Sequence, residues 1–178
     1  MTATAADSRA TRPAPDEFAP YYGTYINKVP DGDIVRTMRT QIADTAALLR
    51  GIPESRHGHR YAEGKWSIRE VVGHLSDAER VFAYRALRFA RADATPLPGF
   101  DENEFMKRAR LDERPMSGLI AEYEAVRAAS VALFDGLFAD EWTRHGTASG
   151  KEMSVRALAW VIAGHELHHL GILKERYI

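Results

Sequence analysis

Three of the chain's seven histidines fall within five residues, in Gly164-His165-Glu166-Leu167-His168-His169. The surrounding run, 155–173, is apolar and reads as one helix. Positions four apart on a helix differ by about 40° in direction, so His165 and His169 project from one face about one turn apart. Two imidazoles so placed can bind one divalent metal ion. His168 lies about 60° round from His165 and is a neighbour rather than a partner. A protein metal site needs more than two ligands, so the rest of the chain must supply a third.

The best supplier is His74. It follows Gly73 in a run whose apolar residues Val71, Leu75, Ala78 and Phe82 recur at helical spacing, so it lies on or beside a buried stripe. A buried imidazole needs a hydrogen-bond partner or a metal. By itself a core histidine satisfied by a carbonyl is the better reading. The terminal pair, lacking one ligand, reverses that order, because a facing helix is the natural supplier in a bundle. Asp77, three residues on, could orient an imidazole or meet a coordinated water. Its alternative is a surface ion pair with Arg80. Arg85, Arg88 and Arg91 read first as a solvated cationic stripe and second as an anchor for a carboxylate-bearing substrate. His57, His59 and His145 read as loop residues.

His165-Glu166-x-x-His169 also spells the zinc-peptidase signature, in which the glutamate is the general base. Only nine residues follow His169, none of them His or Asp, and Ile172 occupies the place of the metzincin glycine. A peptidase is disfavoured. Glu166 and Asp77 stay as candidate bases for a simpler metal-dependent hydrolysis.

The elements that must position these groups are helical. A helix is expected over 33–50, with Asp33 as N-cap and Gly51 then Pro53 as stop. Ser67-Ile68-Arg69-Glu70 is a capping box, with Trp66 and Val71 as its hydrophobic staple, and opens a helix to about residue 91. Residues 92–115 form a long link containing a short helix over 101–110, a length suited to a crossover or a lid. A third long helix covers 117–137, a hairpin or irregular turn covers 141–153, and Ser154 caps the last helix. Tyr21, Tyr22 and Tyr25 lie in an irregular lead-in and read as packing residues. The fold class is therefore all-α, a four-helix bundle with a long crossover link and a small insertion before the last helix.

The chain has 178 residues, enough for one domain with its own core, and balances 24 basic against 25 acidic residues. That balance argues against nucleic acid or an anionic membrane as the main partner. Cysteine is absent, which removes disulfides, a Cys nucleophile and thiolate ligands. Residues 1–15, rich in Ala, Thr and Pro, read as a disordered tail before a domain over 16–178. No apolar run approaches a membrane span of about 20 residues, so a cytoplasmic protein is expected.

The stretch Trp66-Ser67-Ile68-Arg69-Glu70-Val71-Val72-Gly73-His74-Leu75, together with Gly164-His165-Glu166-Leu167-His168-His169, resembles the DinB-like superfamily of bacterial four-helix-bundle metalloproteins. The resemblance covers about 21–178. It implies a divalent metal held by His74, His165 and His169, the trio that spacing had reached, with water completing the shell. Some relatives transfer low-molecular-weight thiols such as bacillithiol or mycothiol, and one group isomerises maleylpyruvate with mycothiol. The expectation is a metal-dependent transferase that activates a thiol cosubstrate. The alternatives are a non-catalytic metal-binding stress-response bundle and a metal-dependent hydrolase. Zinc is the first expectation, with nickel or iron as substitutes. A small-molecule substrate and a homodimer are also expected.

Overall fold

The computed structural model describes residues 5–178. Two short helices, α1 (Ala5–Ala10) and α2 (Gly23–Ile26), precede the first long one, α3 (Ile34–Arg50). Asp33 caps α3 by accepting from the Val35 and Arg36 amides at 2.9 and 3.0 Å. The long helix α4 (Ile68–Ala90) opens on the capping box. Ser67 Oγ accepts from the Glu70 amide at 3.1 Å, and the Glu70 carboxylate accepts from the Ser67 amide at 2.7 Å. A short α5 (Glu102–Arg108), capped by Asp101, lies in the link to α6 (Met116–Asp135). Ser154 Oγ accepts from the Ala157 amide at 2.9 Å and starts α7 (Val155–Ile172), which ends in a π-helical turn, Leu173–Tyr177.

The expected insertion before the last helix is a two-stranded antiparallel hairpin, β1 (His145–Ala148) and β2 (Lys151–Ser154). Its loop is Ser149-Gly150, both at positive φ (53° and 71°), the pattern of a type I′ turn. Leu97 of the link docks beside it: its amide donates to Thr147 at 2.9 Å, and its carbonyl accepts from the Ser149 amide at 3.0 Å.

Of the tail expected over 1–15, residues 1–4 lie outside the described residues. Further along, Arg12 donates to Asp31 and to the carbonyls of Ile26 and Val29, and its guanidinium stands 4.6 Å over the Trp160 ring.

Around the bundle, α4 packs on α6 and α7, and α3 packs on the same two helices. Helices consecutive in sequence, α3 and α4, thus sit across the diagonal. Arg39 pairs with Asp135 and Arg50 with Glu124, so α3 and α6 run antiparallel. His74 meets His165 and His169, so the start of α4 faces the end of α7. Arg80 pairs with Glu122, and Leu87 and Leu133 share a cleft further on, so α4 and α6 run parallel. A parallel pair needs a connection running back along the bundle, and the link after α4 provides it.

The core is in two parts. One holds Ile34, Val35, Met38, Phe82, Phe89, Phe134, Trp142 and Trp160; the other holds Leu49, Ile68, Val72, Leu119, Ile120 and Leu173. Each fully buried side chain of this kind contributes roughly 1.5–3 kcal/mol. Between the parts, each long helix turns a polar residue inward: Thr45, then His74 and Glu79, then Arg127, then His165, Glu166 and His169.

Candidate metal centre

Both histidine-bearing helix segments approach a neighbour through a glycine. A Cβ at Gly73 would overlap the Leu111 side chain, and one at Gly164 would overlap the Tyr25 carbonyl. The bare backbone at Gly164 lets α2 lie against α7, and the Tyr25 ring then stands edge-on to His165 and His168, each at 5.3 Å. Tyr177 Oη donates to the Trp66 carbonyl at 2.7 Å, which helps hold Trp66 against the site. The Trp66 ring lies 4.6 Å from that of His74 and stacks at 6.4 Å on His169.

Between these walls the three imidazoles converge. The Nε2 atoms of His74 and His165 are 3.0 Å apart, and those of His169 and His165 are 3.1 Å apart. One potential ligand atom from each ring lies within 4.8 Å of the others. Metal–imidazole bonds of about 2.0–2.1 Å in tetrahedral geometry would hold such nitrogens about 3.3 Å apart, so one divalent ion fits with little movement. Burial, reinforced by neighbouring histidines, pushes His74 down to about 4 and His169 to about 2, and sets His165 well below its ordinary value. All three rings are neutral at pH 7, the form that carries a lone pair for a metal. Three neutral imidazoles suit zinc, nickel or iron alike.

The site opens into a cavity of about 220 Å³, whose lining includes Tyr25, Trp66, Phe82, Arg85, Glu102 and Ser149. Neither candidate base is part of that lining. Asp77 is on the outer side of α4, 3.5 Å from Arg80, with burial and nearby Glu122 working to raise its pKa against the arginines. Glu166 points the other way from the histidines flanking it in sequence. One of its oxygens accepts from Thr45 Oγ1 and the other from Arg127 at 2.7 Å. Arg127 also donates to both oxygens of Glu79, at 2.8 and 2.9 Å, and to Tyr123 Oη at 2.9 Å. Burial opposes the Arg127 charge, but Tyr123, Glu79 and Glu166 outweigh it and hold the group protonated. His57, His59 and His145 lie outside the cluster. His168 lines the cavity without joining it.

Arg85 and Arg88 of α4 and Arg91 at its C-cap do not form one stripe. A spacing of three residues drifts by about 60° per step, so Arg91 is about 120° from Arg85. Arg88 pairs with Asp93 and Arg91 with Glu141, while Arg85 turns inward to the cavity.

The Arg127 network and the cavity roles of Trp66, Glu102 and Ser149 are absent from the sequence reading. One signal was available for the network: Arg127 follows Tyr123 by four residues, within the apolar stripe of α6. Ser149 gave none, since its place depends on how the hairpin docks.

Comparison with known proteins agrees with this architecture. A family model described as the DinB superfamily matches residues 37–173. A protein of Oceanobacillus iheyensis, provisionally named a metal-dependent hydrolase, is 28% identical over 116 residues, 64% of this chain and 66% of the relative, just under two thirds of its length. YfiT from Bacillus subtilis, described as a probable metal-dependent hydrolase with an unusual four-helix bundle topology, superposes with a TM-score of 0.67 at 16% identity, covering 93% of this chain and 90% of that one. The mycothiol-dependent maleylpyruvate isomerase superposes with a TM-score of 0.65 at 16% identity, covering 82% of this chain and 61% of that one. At such identities the two structures speak for the fold.

Proposed function

The chain belongs to the DinB superfamily, and we propose that it is a divalent-metal-dependent enzyme whose ligands are His74, His165 and His169, and that it transfers a low-molecular-weight thiol onto a small electrophile. The observation that carries this reading is the convergence of three neutral imidazole nitrogens at one end of an open cavity. A divalent cation held by His74, His165 and His169 would supply Lewis acidity, lowering the pKa of a protic nucleophile in the cavity. The chain has no cysteine, so the sulfur is the cosubstrate's. In the reaction a sulfur–carbon bond forms, the bond to the leaving group breaks with its electron pair, and the thiol proton passes to solvent.

The chain's own residues prepare the site. Trp66, Phe82 and Tyr25 wall the histidine end and limit water. The Tyr25 hydroxyl, raised far above its usual range by burial and by its hydrogen bond to Tyr21, stays protonated at neutral pH. Both oxygens of Glu166 are engaged away from the cavity, and a nucleophile that ionises readily has less need of a base.

The test is elemental analysis of protein purified without a nickel column, beside His74→Ala, His165→Ala and His169→Ala, followed by conjugation of a chromogenic aryl halide with a panel of bacterial thiols. Loaded wild type should accelerate conjugation, and each variant should lose both metal and rate. No metal-dependent acceleration with any thiol would remove the transferase reading. Hydrolysis is the second reading, favoured by Glu102, a carboxylate in the cavity lining, and by the relatives' provisional names. It would appear as ester turnover without thiol that is lost in Glu102→Gln.

A further inference from the structure

Charged side chains in a protein interior are almost always paired. The buried charged groups among the described residues follow that rule with one exception. Arg127 has Glu79 and Glu166, Glu17 has Arg156, and Glu141 has Arg91 and Arg144. Arg85 is 2% exposed and has no carboxylate within 4.0 Å among the described residues. Its Nη2 donates to the Pro98 carbonyl at 3.1 Å and to Ser149 Oγ at 3.0 Å. Both contacts are to neutral acceptors and leave the positive charge uncompensated. Glu102, exposed at the cavity edge, makes no ion pair with it.

The group is nonetheless held firmly. Its guanidinium lies 5.9 Å from the rings of both Phe82 and Phe100. Ser149 is locked at φ 53° in the hairpin turn, and the Leu97 carbonyl accepts from its amide. The fold therefore uses the link and the hairpin together to fix one unpaired cation in the cavity wall. Arg85 is also on the face of α4 that carries His74, since eleven residues are close to three helical turns. The Phe82 ring lies 5.9 Å from that of His165, so two 5.9 Å steps put the guanidinium no further than about 12 Å from the His165 ring. Ala78 and Phe82 line the space between.

We propose that Arg85, with Ser149 beside it, is the anchor for a carboxylate on the substrate, so that the cavity takes a small acid with its reacting atom at the histidine end. The planar guanidinium fork matches a carboxylate, and the missing counter-ion is the one the ligand brings. The proposal rests on the functional reading above only for which end of the molecule reacts.

The test is calorimetric titration of mercaptoalkanoates of three to six carbons, each against the mercapto-alcohol and the sulfur-free acid of the same length, into zinc-loaded and zinc-free protein. At least one acid should bind wild type about tenfold or more tightly than its alcohol, the scale of charge-assisted hydrogen bonds. Arg85→Gln should erase that preference and leave alcohol binding unchanged, which a merely structural arginine would not do. A preference that survives in Arg85→Gln would overturn the assignment. So would wild type that prefers no acid at any length, a result that does not depend on the variant folding. The acid preference should persist without zinc. If zinc-loaded protein binds thiol acids no better than sulfur-free acids, the thiol reading falls while the Arg85 anchor stands.

Discussion

Replacing Arg127 by methionine removes the hub of the polar layer and keeps most of its volume. Five donated hydrogen bonds to side chains or backbone are lost with it: two to Glu79, one each to Glu166 and Tyr123, and one to the Met38 carbonyl at 3.2 Å. The partners left behind are the larger concern. Glu79 and Glu166 are 3% and 0% exposed, so water cannot replace the guanidinium. Breaking a buried pair by deleting one partner costs about 3–5 kcal/mol, and here two carboxylates are stranded at once, which points to the upper end. Total stability of a domain is about 5–15 kcal/mol, so a large share disappears. For this size each kcal/mol moves Tm by about 2–4 °C, giving a fall of roughly 10–20 °C. Urea titration of wild type, Arg127→Met and the triple variant Glu79→Gln/Arg127→Met/Glu166→Gln tests the reasoning. The triple variant strands no charge and should recover much of the loss. A single variant within about 1 kcal/mol of wild type would refute the claim that a buried charge network spans the bundle's middle, and a triple variant worse than the single would refute the stranded-charge account.

Gly164→Ala should destabilise by about 1–3 kcal/mol and weaken metal uptake, because its methyl group must displace the Tyr25 backbone beside His165; thermal melts and metal titration together check it. Glu17→Gln gives the pH dependence. Burial tends to raise the Glu17 pKa, but Arg156, the Ala14 amide and Ser154 more than offset it, so the folded value is depressed. A depressed carboxylate adds stability above its unfolded pKa and loses it as pH falls through the folded one. The gap between wild type and Glu17→Gln should therefore be widest near neutrality and narrow as pH falls below the unfolded value of about 4.3; equal gaps at pH 3 and pH 7 in urea titrations would contradict it.

What was legible in the sequence was local. Ser67 and Glu70 announce a helix start because both halves of the capping box lie within four residues, and both bonds form. His165 and His169 share a face by helix geometry alone. His74 was reachable because an imidazole on an apolar stripe raises the question of a partner. At the end of α4 the local pattern misleads: three arginines at equal spacing look like one stripe, but the drift of the helix sends Arg85 inward and Arg91 out. The Arg127 network joins residues 39 and 48 positions apart, with Glu166 and Glu79, and no local pattern encodes such a pairing. Ser149 and Pro98 meet Arg85 only after the link and the hairpin have docked, so the cavity's far wall is a product of tertiary structure.

The two-part core explains why a polar layer of this size is tolerated. Neutral imidazoles in a bundle interior cost desolvation, and a metal stabilises them only when it is bound. Apolar packing on both sides, with Trp142 and Trp160 on one and Leu49 and Leu173 on the other, clamps the helices above and below the layer. Within the layer, Arg127 ties α6 to α3, α4 and α7, so the helices bearing the histidines are fixed before any ligand arrives. Arg85 is outside that arrangement. Among the described residues it is the buried charge without a counter-ion, and it faces the cavity that the histidines share. Holding a structural metal does not require such a group, whereas orienting an acid, as proposed above, does. The proposed anchor therefore concerns a ligand of the cavity, independently of which reaction the histidines support.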